Sequence, residues 1–138
     1  MRFEASVTAQ APVERVWQVF SDVERWAEWT PTVTSVERLD DGPLRVGARA
    51  RIRQPKLPVA VWEVTELDAG SYFAWVSTVP GIRTTGEHRV VATAEGTVIT
   101  AAVTQEGPLG WVFGKLYAEL TRRYVTTEVR RLKEVVEG

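Results

Sequence analysis

The sequence contains no cysteine and only one histidine in 138 residues. Without cysteine there can be no disulfide, thiolate nucleophile, iron–sulfur cluster or Cys-ligated zinc. A single histidine excludes metal sites built from two or three imidazoles. Neither sign of charge is in excess. The 17 Lys+Arg and 18 Asp+Glu leave a formal net charge of −1, unlike the basic footprint of a dedicated nucleic-acid binder. Long apolar runs are also missing: the uncharged stretch from Gly107 to Gly114 is far too short to span a bilayer. The opening residues, MRFEASVTAQ, mix charge with hydrophobe and contain no apolar targeting core. No G-x-G-x-x-G opens a helix and no phosphate-cradling G-x-x-x-x-G-K-[ST] occurs. A soluble, cytoplasmic protein with no integral membrane span, no nucleic-acid partner, no metal and no cofactor is expected.

What is present is ordinary globular material, 44% hydrophobic and 25% charged. A chain of this length is expected to form one domain, residues 1–138, burying roughly two thirds of its unfolded surface. Phe3, Ala5, Val7 and Ala9 alternate with Arg2, Glu4, Ser6 and Thr8, the pattern of a half-buried strand. Pro12 suits the first turn of a helix that carries Val13, Val16, Trp17 and Phe20. Ser21-Asp22-Val23-Glu24 has capping-box spacing and predicts a second short helix with Val23 and Trp26. From Thr32 to Gln105 the period is two, and strands are predicted at 33–39, 46–54, 59–67, 71–78, 83–93 and 97–105. Turn residues separate them, among them Asp40-Asp41-Gly42-Pro43, Asp68-Ala69-Gly70 and Pro80-Gly81. Loops this short imply an antiparallel meander. One long helix is predicted over 109–136.

That last helix carries two stripes. Val125, Val129, Leu132 and Val136 form a clean apolar face, which extends backward through Thr121, Ala118, Gly114 and Trp111. The core side thus becomes small where bulk would fill space. Leu109, Phe113, Leu116, Leu120 and Tyr124 lie on another face. Either the helix kinks so that the bulky stripe packs inward, or the small stripe leaves a cavity and the bulky one meets a lid or a second copy in a homodimer.

The element order resembles one superfamily, together with Val16-Trp17, Trp26-x-x-Trp29-x-Pro31, Val46-Gly47, Gly96-Thr97 and the long final helix. The chain is similar to the polyketide cyclase/dehydrase and lipid-transport group, whose fold is the START-like (SRPBCC) helix grip. The resemblance implies an α+β fold: a seven-stranded, antiparallel, curved sheet around a long C-terminal helix, with two short helices after strand 1. It also implies an apolar cavity between sheet and helix that holds a small hydrophobic molecule such as a lipid, a sterol or a polyketide-like compound. Members of the group include carriers and aromatase/cyclases, so the fold leaves enzyme and binding protein both open. A third reading is an interaction protein assembling through its C-terminal helix.

With such a cavity in view, the candidate lining is Trp29 near the end of the second short helix, Ile52, Gln54, Trp62, Phe73, Trp75 and His88 on the strands, and Gly114, Ala118 and Thr121 on the long helix. Indoles supply stiff apolar walls and an N–H that can orient a polar atom, while Trp17 and Trp26 sit at core spacing. His88 shares parity with Gly86 and Val90, and its ordinary pKa suits proton transfer near neutrality. It is therefore the one candidate catalytic residue. No second residue is tied to it by a diagnostic spacing. Gln54, Ser77, Thr84, Tyr117 and Thr121 are its candidate polar neighbours. Arg49, Arg51 and Arg53 alternate with Ala48, Ala50 and Ile52, and burying three guanidinium groups would cost several kcal/mol each, so they are placed in water. A register with Ile52 opposite Trp62 and Arg51 opposite Glu63 would match apolar faces and charges. Arg122-Arg123 and Arg130-Arg131-Lys133, with Glu119, Glu128 and Glu134 nearby, read as a solvated helix face.

Overall fold

Alternation in the first residues becomes strand β1 (Arg2–Ala9), with Phe3 and Ala9 buried and Arg2, Glu4 and Ser6 exposed. The computed structural model describes residues 1–138. Helix α1 (Val13–Ser21) buries Val16 and Phe20, and a 3-10 helix (Val23–Glu28) buries Val23 and Trp26. Six strands follow: β2 (Ser35–Arg38), β3 (Arg49–Arg53), β4 (Ala60–Asp68), β5 (Tyr72–Val79), β6 (Ile82–Thr93) and β7 (Gly96–Glu106). They form one seven-stranded sheet in the order β1-β7-β6-β5-β4-β3-β2, and every neighbouring pair is antiparallel. Helices α2 (Gly110–Leu116) and α3 (Ala118–Glu137) close the chain.

Two cross-strand tiers on the inner face position the site. One runs Phe3, Val103, Gly86, Trp75, Val64; the other runs Ala5, Ala101, His88, Phe73, Leu67. Val129, Leu132 and Val136 of α3 join Val16, Phe20, Val90 and Ile99 in one buried cluster. Full burial of a side chain such as Leu132 contributes about 1.5–3 kcal/mol. The first half of α3 faces a void instead.

Three local expectations are corrected. The capping box does not form: Ser21 is still inside α1, and its hydroxyl donates to the Trp17 carbonyl one turn back at 2.7 Å, leaving Asp22 at the start of a 3-10 helix. The β3–β4 register is slipped by two residues. Ala50 pairs with Trp62, Ile52 with Ala60 and Arg49 with Glu63, while Arg51 reaches Glu37 on β2 at 2.6 Å. The slip follows from backbone bonds at the preceding turn, Gly47 N–H to Val64 O and Val64 N–H to Ala48 O, both 2.8 Å. A two-residue slip keeps every side chain on its face, so Arg49, Arg51 and Arg53 remain exposed.

The third correction concerns the terminal helix, which is two helices meeting at Tyr117 (φ −106°, ψ 15°). Helix α2 lies on the end of β7 at glycine distance. A Cβ on Gly110 would stand 3.1 Å from the Gln105 carbonyl carbon, and one on Gly114 would stand 2.8 Å from Gln105 Oε1 and from Met1 Sδ. Helix α3 instead runs along β1 and β7, so the axis changes course between them. The bulky stripe is split accordingly. Leu109 and Leu116 stay exposed, Leu120 is half-buried, and Phe113 and Tyr124 turn toward the void.

Candidate functional site

The void is a cavity of about 350 Å³ between the inner face of β3–β7 and the helices. Its walls are largely apolar: Trp26, Ile52, Trp62, Trp75, Ile82, Val103, Phe113 and Val125. Gln54, Ser77, Thr84, Gln105, Tyr117, Thr121 and Tyr124 add amides and hydroxyls. Of the residues singled out from the sequence, Ile52, Gln54, Trp62, Trp75, His88 and Thr121 line it. Trp29, Phe73, Gly114 and Ala118 do not. Trp29 packs against Phe20 and Trp26, and its carbonyl accepts from Arg131 Nε at 3.0 Å. Phe73 is fully buried beneath His88, their rings stacked at 4.1 Å. Gly114 is filled by Gln105 and Met1, and Ala118 packs on the core. Trp26, given a packing role by its spacing, both donates its indole N–H to the Phe20 carbonyl at 2.9 Å and reaches the cavity.

Gly86 is where the sheet makes room for an indole. A Cβ there would stand 3.0 Å from Trp75 Nε1 and 3.1 Å from Trp75 Cδ1. Gly86→Val should therefore push the Trp75 ring off the strand. The expected result is a loss of about 1–3 kcal/mol in chemical denaturation, with a changed near-ultraviolet circular dichroism signal. An unchanged spectrum would show that Trp75 does not depend on the glycine.

His88 sits in an aromatic box. Beyond Phe73, it meets Phe20 at 5.2 Å, Trp26 at 5.2 Å and Trp75 at 5.4 Å. Its Nδ1 lies 3.2 Å from the Phe73 carbonyl oxygen, which can only accept, so Nδ1 carries the proton. The Nε2 lone pair then points toward Glu128 Oε1, 3.8 Å away. Burial drives both groups to their neutral forms, lowering the imidazole pKa to about 3 and raising the carboxyl to about 8. Glu128 Oε1 is buried without a hydrogen-bond partner, as are Gln105 Oε1 and Trp62 Nε1, which also belong to cavity-lining residues. A separation of 3.8 Å is too long for a hydrogen bond, so neither member of the pair satisfies the other.

Glu128 corrects the solvated-face reading of its helix. It stands three residues after Val125 and four before Leu132, on the stripe that includes Thr121, and helical spacing alone carries that signal. Arg130 and Arg131 masked it. Gln105 was likewise legible as sharing parity with Ala101 and Val103 at the end of β7.

The sequence of residues 1–137 matches the family described as polyketide cyclase/dehydrase and lipid transport. The chain belongs to that family. Solved structures with a similar fold include TTHA0849 from Thermus thermophilus (TM-score 0.77, 23% identity, covering 99% of this chain and 97% of that one). The Zhui aromatase/cyclase from Streptomyces sp. R1128 is similar at a TM-score of 0.72 and 20% identity, covering 99% and 93%. The di-domain aromatase/cyclase StfQ of the steffimycin pathway gives 0.78 at 16% identity, with 99% of this chain matching 50% of StfQ. At these identities the likeness is one of fold, the helix grip. No curated protein matches in sequence. No helix of this family member is long and apolar enough to cross a membrane.

Proposed function

We propose that this chain binds a small, largely apolar molecule in the cavity between the sheet and α3. The observation that carries the reading is the cavity itself: about 350 Å³, walled by three indoles and roofed by Thr121 where a filled core would place Leu or Phe. Pockets of this size and lining are where small ligands bind in most folds. The family's description and the aromatase/cyclase titles of its structural neighbours are in keeping with it. Trp62 and Trp75 make intrinsic fluorescence the reporter. Titration with lipids, sterols and aromatic polyketides should give saturable quenching for at least one class, and native mass spectrometry of freshly purified protein should reveal a retained molecule. Absence of both would remove the reading.

A second reading, an enzyme of the cyclase/dehydrase type, is favoured by the Glu128–His88 pair. His88 Nε2 could take the α-proton of a bound β-hydroxy carbonyl while the Glu128 carboxyl gives its proton to the departing hydroxyl, releasing water and forming the conjugated carbonyl. Transfer of the proton from His88 to the Glu128 carboxylate would restore both. Only hydroxyls, amides and the Trp62 N–H are available to hold the enolate oxygen, so this reading ranks second. It predicts that Glu128→Gln abolishes dehydration of a β-hydroxy aryl ketone while leaving its binding intact; retained turnover would exclude it.

A further inference from the structure

The charge inventory of the cavity narrows what it can hold. No lysine or arginine lines it. Glu87 and Glu128 are its acidic lining residues, and only Glu128 turns its carboxyl inward, since Glu87 alternates with the inward Gly86 and His88. Glu87 is committed elsewhere: one oxygen accepts from the Tyr72 hydroxyl at 2.9 Å and the other from Arg2. Glu128 has no such partner. The one lining group that could become cationic, His88, is enclosed by Phe20, Trp26, Phe73 and Trp75, which disfavours its charged form. An ionised acid entering the cavity would lose its water and meet no positive charge.

A hydroxyl or an amine meets the opposite situation. Glu128 has no hydrogen-bond partner of its own. The 3.8 Å gap between Glu128 and His88 leaves both groups open to a third polar atom. A hydroxyl near that gap can accept from the neutral Glu128 carboxyl and donate to His88 Nε2. An ammonium group would instead ionise Glu128 and pair with it.

We propose that the ligand is an apolar alcohol, phenol or amine carrying no acidic group: the cavity offers no cation to an ionised acid, and Glu128 is the group an amine would pair with. The proposal rests on the cavity-binding reading above and deepens it. Free fatty acids and other carboxylates are excluded, whereas sterol-like alcohols and phenolic polycycles remain.

The test holds the apolar body constant and changes the head group. Naphthalene and anthracene bodies, each bearing a hydroxymethyl, an aminomethyl or a carboxylate group, are titrated calorimetrically into the protein at neutral pH. The alcohol and the amine should bind, and the carboxylate should be weaker by about tenfold or more. In Glu128→Gln the amine should weaken by about tenfold, while the alcohol and the carboxylate should each change by less than about threefold. Carboxylates that bind as tightly as the alcohols and amines overturn the proposal and leave the cavity-binding reading standing. A Glu128→Gln variant that binds the amine as tightly as the native protein also overturns it. If no probe binds on either body, the cavity-binding reading fails and the proposal fails with it.

Discussion

Glu128→Gln should unfold at a higher temperature than the native sequence at neutral pH and lose that advantage in mild acid. The carboxyl is buried beside His88 with no hydrogen-bond partner, and its pKa rises from 4.5 to about 8. The folded state therefore holds this proton more tightly than the unfolded state. Stability from the protonated group is complete below about pH 4.5 and is lost as pH rises toward about 8. Glutamine keeps the shape and does not titrate. The difference between the proteins should grow across that window to roughly 2–4 kcal/mol near neutrality, or about 10 °C in Tm. His88 acts in the other direction. Its pKa is lowered from 6.5 to about 3, so it removes stability from both proteins as pH falls through that range. Comparing thermal unfolding of the two proteins at several pH values isolates the Glu128 contribution. Parallel curves, or a variant less stable at neutral pH, would show that Glu128 is not held neutral.

Thr121→Phe should abolish ligand binding at little cost in stability. Thr121 is half-buried and lines the cavity from the first half of α3, so a ring there extends into open space. Ala118→Phe is the control. Ala118 sits on the same face one turn earlier, yet it packs against the core and touches no cavity. A ring at 118 should overpack that contact, costing about 1–3 kcal/mol, and leave binding in place. Paired thermal unfolding and fluorescence titration of both variants decide the matter. If Thr121→Phe bound apolar probes at full strength, the cavity would not be the binding site.

The comparison between these two positions also shows where pattern reading stops. Gly114, Ala118 and Thr121 form one small stripe when the terminal helix is drawn straight. The turn at Tyr117 breaks that stripe, and it arises from the fit of Gly110 and Gly114 against Gln105, a contact between residues close in space but on different elements. Phe73 and Trp75 share a strand face, yet stacking under His88 seals the first while the second reaches the cavity. Glu128 reads as one charge among many because Arg130 and Arg131 follow two and three residues later. On a helix those neighbours point elsewhere.

Residue order alone determined the seven strands, their antiparallel pairing, the inward parity of Ile52, Trp62, Trp75 and His88, and the outward arginines of β3. These follow from a period of two and from turn chemistry, both of which act within a few residues. Tertiary structure decided the β3–β4 register, the break in the terminal helix and the burial of Glu128 opposite His88. Each of these depends on which side chains meet across elements far apart in the chain. For the same reason the cavity's charge inventory, one inward carboxyl group and no cation, became readable only in three dimensions.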